Sequence, residues 1–183
     1  SDDPAAELDF ANNSKRIYEK IETCSVPVIA KINGPAVGLG AEISLASDLR
    51  VAATTAKLIF GEINLAIVPP FERLARNVSD ALLREICFTG RPLTAEEAEE
   101  ADVFNRVVEP ENLDAATEEL VSDITDISPH ALAQTKEAMR YADGKSIYES
   151  IEYRFSLHYQ CFDHPDFRES IEAFKEDREP QYQ

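Results

Sequence analysis

Apolar residues recur along the chain at two spacings, and each spacing predicts a different kind of element. A short apolar run between Ser25 and Asn33-Gly34 predicts a buried strand over residues 26–32. Spacings of three and four residues, typical of one face of a helix, precede this run and dominate the chain after it. Because strands and helices alternate in the first part of the chain, the pattern favours an α/β fold.

Several segments carry the apolar spacing or the end signals of helices. Ser128 followed by Pro129 marks a helix start, and Gly144 marks the end of that helix. The predicted helices cover residues 10–21, 82–87, 113–127, 129–141, 147–159 and 167–174. The stripe of the first helix is interpreted as core; it consists of Phe10, Ser14, Ile17 and Ile21. The aromatic face of the last helices serves either subunit packing or packing within the chain.

Length and charge narrow the classes of function. The 183 residues can bury a substantial core, and a hydrophobic fraction of 44% without a long apolar run excludes a membrane span. Asp and Glu outnumber Lys and Arg by 35 to 18, which gives a net charge of −17. This charge repels phosphate backbones and anionic lipid, so neither nucleic acid nor a membrane is an expected partner.

The cysteines and the polar start of the chain favour a cytoplasmic location. Cys24, Cys87 and Cys161 are widely separated and odd in number, which suggests neither a disulfide framework nor a metal cluster. The chain opens on a polar, acidic segment without the apolar stretch of a secretory signal. This opening is typical of a fragment boundary or a processed start.

A glycine turn follows the predicted strand and carries the first candidate for chemistry. Gly34, Gly38 and Gly40 allow close backbone approach or a positive φ, and a short helix over 41–47 follows. The N–H groups at the start of such a helix suit a developing oxyanion, and Glu42 would lie in its first turn. The segment alone is equally compatible with a glycine-rich turn that carries a solvated surface glutamate.

A second glutamate, Glu62, lies twenty positions after Glu42. Two carboxylates at one site can divide acid and base duties. Other constellations are disfavoured, because the three histidines are scattered without metal-pair spacing and no serine elbow is present. Asp48 is interpreted as structural, fixing the backbone between the helix and the next strand.

Several motifs in order resemble the crotonase (enoyl-CoA hydratase/isomerase) superfamily. The segment from Gly34 to Ala52, which contains Gly-Leu-Gly-Ala-Glu42, resembles the family's signature. Three later segments resemble the family's second glutamate segment, the stretch behind it and the C-terminal end. They are Ala56-Lys-Leu-Ile-Phe-Gly-Glu62-Ile-Asn-Leu65, Thr89-Gly-Arg-Pro-Leu-Thr-Ala-Glu-Glu-Ala98 with Asn105-Arg-Val-Val108, and Ala173-Phe-Lys-Glu-Asp-Arg-Glu-Pro180.

The resemblance implies an enzyme that hydrates a 2-enoyl-CoA thioester to a 3-hydroxyacyl-CoA. It assigns Glu42 to deprotonating water, Glu62 to protonating C2, and the Leu39 backbone N–H to the oxyanion hole. The expected substrate contacts are Gly38, Gly40, Pro69 and Lys175. Because coenzyme A is anionic, its phosphates need cations or backbone donors, and Lys175 and Arg178 are the candidates. Each is also open to interpretation as an ordinary solvated or ion-paired residue. No metal and no separate cofactor are expected, since coenzyme A is part of the substrate.

The resemblance also implies an architecture. Residues 1–110 would form part of a crotonase-type ββα spiral core, and residues 111–183 a helical C-terminal region engaged in subunit contacts. The expected assembly is a homotrimer or a homohexamer.

Four departures from the family pattern bear on these expectations. Leu39 and Ala66 replace usual glycines, and Pro69-Pro70-Phe71 stands in place of a longer glycine-rich loop. Asp102-Val103 replaces a common Gly-Leu and is interpreted as a local surface change. The family's N-terminal portion, which carries the other oxyanion N–H and much of the nucleotide contact, has no counterpart in this sequence.

These departures leave alternatives open. An isomerase of the family would use chiefly one carboxylate, and both are retained here. A hydrolase or decarboxylase would follow from a reshaped pocket at 69–71. A noncatalytic scaffold or binding subunit would follow from the shortened loop and the absent N-terminal portion.

Overall fold

The computed structural model describes residues 4–182, so the first residues of the acidic opening segment, 1–3, lie outside it, as does residue 183. The chain forms two compact units. The first comprises the chain up to Glu22 together with Val28–Glu119, and the second comprises Thr23–Pro27 and the chain from Leu120 onward. The predicted division into residues 1–110 and 111–183 stays a prediction.

The first unit alternates helices and short strands. Its strands are β1 (Ile29–Ile32), β2 (Pro35–Val37), β3 (Leu49–Ala53), β4 (Lys57–Ile59), β5 (Leu93–Thr94) and β6 (Arg106–Val108). Its helices are α1 (Pro4–Glu22), α2 (Leu39–Ala46), α3 (Asp80–Thr89) and α4 (Ala95–Glu100), with 3₁₀ turns at Gly61–Leu65, Leu74–Arg76 and Pro110–Asn112. Helix α5 (Leu113–Thr125) begins in this unit and continues past its boundary.

Two three-stranded sheets organise this unit. One has the order β1-β3-β6 with both pairs parallel, and Ile29 lies opposite Leu49 in its register. The other has the order β2-β4-β5, parallel between β2 and β4 and antiparallel between β4 and β5. The predicted strand begins at Ile29 rather than at Val26, whose side chain is half exposed. Strand β2 was not predicted, because it lies inside the segment interpreted as a glycine turn.

The core of the first unit lies where α2, α3 and α4 cover the strands. Its fully buried members include Val51, Ala52, Leu58, Phe60, Leu74, Ile86, Leu93 and Val103. The interpretation of Asp102-Val103 as a surface change is therefore wrong at Val103. Asp102 is exposed and has φ 56°, a left-handed conformation that Asp tolerates better than most residues.

A buried arginine ties three elements of this unit together. The Arg50 guanidinium donates to the Val103 carbonyl at 2.6 Å and to the Ser47 and Ser44 carbonyls at 2.6 and 3.2 Å. Burial lowers the pKa of Arg50. The neighbouring Asp48 carboxylate accepts a hydrogen bond from the Val28 N–H at 2.7 Å, which confirms its structural role.

The second unit contains the last three helices: α6 (Pro129–Ala142), α7 (Ile147–Asp163) and α8 (Pro165–Glu176). Ser128 and Ser146 cap α6 and α7 by accepting backbone N–H groups, and Gly144 has φ 69° after α6 ends. The helices predicted from apolar spacing and end signals are confirmed, although α1 begins at Pro4 and α8 at Pro165, both earlier than predicted. Phe155 and Tyr159 on α7 remain substantially exposed.

Two of the histidines that are scattered in sequence lie together in the second unit. The rings of His130 and His164 stack at 3.9 Å, almost parallel. The buried Nε2 of His130 has no hydrogen-bond partner among the described residues.

Within residues 4–182, none of the helices combines the length and the apolar character that a bilayer crossing requires.

Candidate active site

The glycine turn between β2 and α2 depends on one residue, Gly38. It has φ 50° and ψ −113°, and its N–H donates to the Ile59 carbonyl at 2.9 Å. A Cβ at this position would lie 2.8 Å from Glu62 Oε1. The positive φ therefore favours glycine here, and any other residue would also displace the Glu62 carboxylate. Gly34 and Gly40 lack the positive φ, and a Cβ at either would meet no protein atom closely, so the fold itself does not require glycine there. The close approach of a substrate at Gly40 stays a prediction.

Helix α2 begins directly after this turn and carries two predicted site residues. Leu39 is its first residue, so the helix itself offers no acceptor for the Leu39 N–H. Glu42 lies in the first turn and is 7% exposed. The replacement of the family's usual glycine by Leu39 leaves the backbone donor in place.

Glu62 lies on the 3₁₀ turn Gly61–Leu65, which follows the fully buried Phe60. The turn ends at Ala66, which has φ 59° and donates its N–H to the Ile63 carbonyl at 3.1 Å. Among the described residues, the buried Oε2 of Glu62 has no hydrogen-bond partner. A buried carboxylate oxygen without a partner is costly and indicates a group that binds there.

One cavity of about 730 Å³ brings these residues together. Leu39, Glu42 and Glu62 line it, and Pro69 and Arg73 contribute from the segment that departs from the family. Helix α1 supplies another wall through Phe10, Ala11, Ser14, Lys15, Tyr18, Glu19 and Glu22. The structure thus places both glutamates, the Leu39 residue and Pro69 at one site; we call it the carboxylate cavity.

Two residues that the sequence did not single out hold Glu42. The Tyr18 hydroxyl donates to the Glu42 carboxylate, and burial together with this carboxylate raises the pKa of Tyr18. The Arg73 guanidinium lies 4.5 Å from the centre of the Tyr18 ring and 3.9 Å from Glu42 Oε1. It also pairs with Glu22 at 2.8 Å. Glu42 therefore has a donor and a cation beside it, whereas Glu62 Oε2 has neither as a hydrogen-bond partner in the described chain.

The sequence contains a pattern that could have identified Tyr18 as a site residue. Ser14, Tyr18 and Glu22 are four residues apart, which puts three polar side chains on one face of α1. The interpretation of the α1 stripe as core is wrong for Phe10 and Ile17, which are both exposed, and Phe10 lines the carboxylate cavity. Arg73 had no comparable signal, because it lies in an irregular segment without periodicity.

A second cavity of about 560 Å³, which we call the side cavity, adjoins the first. Its wall is apolar except for Asp80 and Arg84 and includes Ile63, Ala66, Ile67, Val68, Pro69, Phe71, Leu83, Cys87 and Phe88. Val68 and Pro69 line both cavities. Burial raises the pKa of the Cys87 thiol, and the charge of Glu62 adds to this effect.

The predicted phosphate contacts lie in the second unit. Arg178 forms ion pairs with Glu169 at 2.5 Å and with Glu176 at 2.7 Å. Its guanidinium is therefore already engaged by two carboxylates. Lys175 is exposed in the last turn of α8, and its contact with the substrate stays a prediction.

Comparison with known proteins identifies the family of this chain. The family model for enoyl-CoA hydratase/isomerase matches residues 2–183. The chain belongs to this family. It is 30% identical over 172 residues to a short-chain-enoyl-CoA hydratase from Clostridium acetobutylicum, a match that covers 92% of this chain and 66% of that protein. It is 36% identical over 151 residues to a short-chain-enoyl-CoA hydratase from Clostridioides difficile, covering 81% of this chain and 97% of that protein.

The fold of this family member agrees with a solved structure. The crystal structure of an enoyl-CoA hydratase from Bacillus anthracis superposes with a TM-score of 0.89 at 32% identity. The superposition covers 96% of this chain and 70% of that one. The predicted crotonase-type α/β fold is confirmed. The chain spans about two thirds of the length of the Clostridium acetobutylicum relative and of the Bacillus anthracis structure.

Proposed function

We propose that this protein adds water across the double bond of a 2-enoyl-CoA thioester and forms a 3-hydroxyacyl-CoA. The observation that carries the proposal is that Glu42, Glu62 and Leu39, the first residue of α2, line one cavity. The Tyr18 hydroxyl donates to the first carboxylate and the Arg73 guanidinium lies beside it, whereas the second carboxylate has a buried oxygen without a partner in the described residues. Such an oxygen is suited to a reacting group that arrives with the substrate.

The two carboxylates would divide the proton transfers. Glu42 orients a water and takes its proton as the oxygen bonds to C3, and the double-bond electrons move toward the thioester oxygen. The Leu39 N–H stabilises that developing charge. Glu62 then gives a proton to C2, and the proton held by Glu42 restores Glu62 before the next turnover.

The remaining substrate contacts are also part of the proposal. The resemblance places a second oxyanion donor in the family's N-terminal portion, and a single donor of this kind is worth roughly 3–4 kcal/mol. Gly38 and Gly40 would allow the thioester to approach the start of α2. Lys175 is the proposed phosphate contact, and coenzyme A enters as part of the substrate.

Replacement of each glutamate by glutamine tests the mechanism. In the full-length protein, Glu42→Gln and Glu62→Gln should each lower hydration of crotonyl-CoA by about 10²–10⁴-fold, because glutamine keeps the shape but cannot transfer the proton. Binding of a saturated acyl-CoA should change little. Glu118→Gln, at an exposed position on α5, is the matched control. Near-normal turnover in either site variant would remove that residue from the mechanism.

An isomerase is the alternative that one observation favours. Tyr18 and Arg73 hold Glu42, whereas Glu62 is open, and an isomerase would work chiefly with one open carboxylate. Assay of Glu42→Gln against a 3-enoyl-CoA separates the two. Loss of hydration with retained isomerisation would make the isomerase the principal activity.

We also propose that the protein acts in the cytoplasm as a homotrimer or a homohexamer. The exposed Phe155 and Tyr159 on α7 support a role for this helix in subunit contacts. Light scattering after gel filtration tests the assembly, and a monomeric mass at micromolar concentration would contradict it.

A further inference from the structure

One turn of helix α1 holds the Arg73 guanidinium on the wall of the carboxylate cavity. Nε and Nη2 of Arg73 each lie 2.8 Å from Glu22 Oε1, and the guanidinium carbon lies 4.5 Å from the centre of the Tyr18 ring. Tyr18 and Glu22 are four residues apart, which puts them on the same face of α1. The remaining nitrogen, Nη1, lies 3.9 Å from Glu42 Oε1. A single guanidinium therefore joins α1 to the Glu42 carboxylate on α2.

We propose that Glu22 and Arg73 are positioning residues for the hydration. The ion pair with Glu22 sets the place of the Arg73 guanidinium, and this guanidinium sets the place of the Glu42 carboxylate. The inference rests on the proposed function, in which Glu42 takes a proton from water. It adds two residues that act through Glu42. We call the three residues Glu22, Arg73 and Glu42 the guanidinium bridge.

The backbone of Arg73 is held in place by its neighbours. The next residue, Leu74, is fully buried in the core, and the Asn77 side-chain amide donates to the Arg73 carbonyl at 2.9 Å. The long arginine side chain still has many conformations open to it, and ordering it costs entropy. The contact with Glu22 selects one of these conformations. Without Glu22, the guanidinium loses this partner and is free to turn away from Glu42.

The charges on the cavity wall make Arg73 the important cation for Glu42. Among its described residues the wall carries five glutamates but two cations, Lys15 and Arg73. Lys15 is exposed, whereas the Arg73 side chain is 20% exposed and Glu42 is buried. Opposite charges attract more strongly where water is excluded. At 3.9 Å the contact is too long for a hydrogen bond, so Arg73 acts on Glu42 through its charge.

Steady-state kinetics with crotonyl-CoA test the guanidinium bridge in the full-length protein. Because a small misplacement of a reacting group can cost about 10²-fold in rate, Arg73→Gln should lower kcat by roughly 10–100-fold and Glu22→Gln by roughly 3–30-fold. KM should stay within about twofold of the wild type, since the bridge acts on Glu42 rather than on the acyl-CoA. Arg73→Lys keeps the charge but not the planar fork, so it should recover only part of the loss.

The double variant shows whether Glu22 acts through Arg73. Glu22→Gln combined with Arg73→Gln should be no slower than Arg73→Gln alone, because residues that act in one chain of contacts are not additive. Losses that add would overturn the inference, since Glu22 would then act by another route. Full recovery of kcat in Arg73→Lys would also overturn it, because charge without the fork would then suffice.

Arg91 offers a matched control. It pairs with Glu85 at 2.8 Å and with Glu97 at 3.0 Å, and its side chain is 29% exposed. It is not among the described residues that line either cavity. Arg91→Gln and Glu85→Gln should therefore leave kcat as in the wild type, and thermal unfolding of every variant reports any loss of folded protein. Equal losses of kcat in the control and bridge variants would overturn the inference.

Crystal structures of the variants separate a failure of this inference from a failure of the proposed reaction. In Arg73→Gln the Glu42 carboxylate should leave its wild-type place beside Tyr18, and an unmoved carboxylate overturns the inference whatever the kinetics. A displaced carboxylate supports the positioning contact even if the wild type hydrates no crotonyl-CoA, a result that overturns the proposed function alone. If the wild type hydrates crotonyl-CoA and both single variants keep its kcat, the inference is overturned and the proposed function stands.

Discussion

Glu42 and Glu62 line the same cavity, but the groups around the two carboxylates differ. The Tyr18 hydroxyl and the Arg73 guanidinium approach Glu42 from α1 and from the irregular segment after Pro70. Glu62 lies over Gly38 with one buried oxygen unpartnered in the described chain. The two glutamate side chains are chemically identical but lie in different surroundings. Such a difference allows two carboxylates to take separate roles in acid–base chemistry.

Removal of the Tyr18 hydroxyl should impair turnover more than binding. A hydrogen bond to a charged group contributes about 1.5–3 kcal/mol, so Tyr18→Phe should lower kcat by roughly 10–100-fold if the bond orients Glu42 for reaction. KM should change little. Steady-state kinetics with crotonyl-CoA measure both, with Tyr148→Phe on the exposed surface of α7 as the control. A Tyr18→Phe enzyme with wild-type kcat would show that Glu42 needs no such support.

Ala66 should be a point of strain that glycine relieves. A non-glycine residue at φ 59° costs about 1–2 kcal/mol, and glycine gives back part of this through greater freedom in the unfolded chain. We expect Ala66→Gly to raise the free energy of unfolding by about 0.5–1 kcal/mol in urea titrations. Ala115→Gly, exposed on α5, should lower it by a similar amount. A loss of stability in Ala66→Gly would mean that the Ala66 methyl makes packing contacts worth more than the strain.

At the scale of elements, the buried Arg50 joins the end of α2 to β3 and to the segment before β6. Its guanidinium donates to carbonyls of Ser44, Ser47 and Val103, of which the first two belong to the carboxyl end of α2. A cation at that end also opposes the partial negative charge of the helix. The position of Glu42 in the first turn of α2 depends on this anchorage at the other end.

Truncation of the Arg50 side chain should strongly lower the stability of the protein. Arg50→Ala leaves three carbonyl groups without their donor and should destabilise the protein by roughly 3–5 kcal/mol. Arg50→Lys keeps the charge but cannot reach all three acceptors, and it should recover only part of the loss. Thermal unfolding followed by circular dichroism measures both. A change below about 1 kcal/mol in Arg50→Ala would show that water replaces the guanidinium without cost.

The ion pair between Glu169 and Arg178 at the end of α8 should persist to low pH. Hydrogen bonds from Arg178 and from the Gln181 N–H lower the pKa of Glu169 to about 2. Because the folded pKa lies below the unfolded one, this contact stabilises the fold fully above pH 4.5 and is lost as the pH falls toward 2. Carbon-13 NMR of the Glu169 carboxyl should therefore show a titration near pH 2. In Arg178→Gln the midpoint should move up, and an unchanged midpoint would contradict the pairing.

Most elements could be predicted from the sequence because their signals are local. Ser128-Pro129 and Gly144 bracket α6, and the stepwise apolar residues of α7 need no tertiary information. The first strand was predicted to begin too early, at Val26, because Val26 is apolar although its side chain is half exposed in the structure. Strand β2 has only three residues, and its existence depends on pairing with β4, which sequence spacing does not report.

Only part of the candidate site could be predicted from the sequence, because some of its contacts join residues that are far apart in the chain. Glu42 and Glu62 follow recognisable local motifs, so the sequence identified them. Arg73 comes from an irregular segment, and its contacts are with residues 31 and 51 positions earlier in the chain, Glu42 and Glu22. Such long-range contacts leave no periodic pattern along the sequence.

At the scale of the whole molecule, the excess of acid shapes how the protein responds to salt. With 35 acidic and 18 basic residues, repulsion among carboxylates opposes the folded state at low ionic strength. Some acids are paired, as in the contacts of Arg91 with Glu85 and Glu97, but the net charge of −17 means that 17 negative charges have no matching positive charge in the chain.

Salt should therefore stabilise the protein near neutral pH. Because added salt screens exposed like charges, we expect the Tm to rise by several degrees between low salt and about 1 M NaCl, where the screening length is only about 3 Å. Differential scanning calorimetry at pH 7 measures this shift. Repeating the series with sucrose, which stabilises without screening charge, separates repulsion from general solvent effects. A Tm that falls with NaCl would show that the exposed ion pairs outweigh the repulsion.

The 3₁₀ turn that carries Glu62 and Ile63 has a consequence for how this protein can change over evolution or in the laboratory. Glu62 lines the carboxylate cavity, and its neighbour Ile63 lines the side cavity. Mutations within the turn would reshape both cavities together, so few of them can change one cavity alone. Leu83 and Cys87 line the side cavity from α3, a separate element. A change confined to the side cavity is therefore more accessible through α3, where a substitution leaves Glu62 in its place.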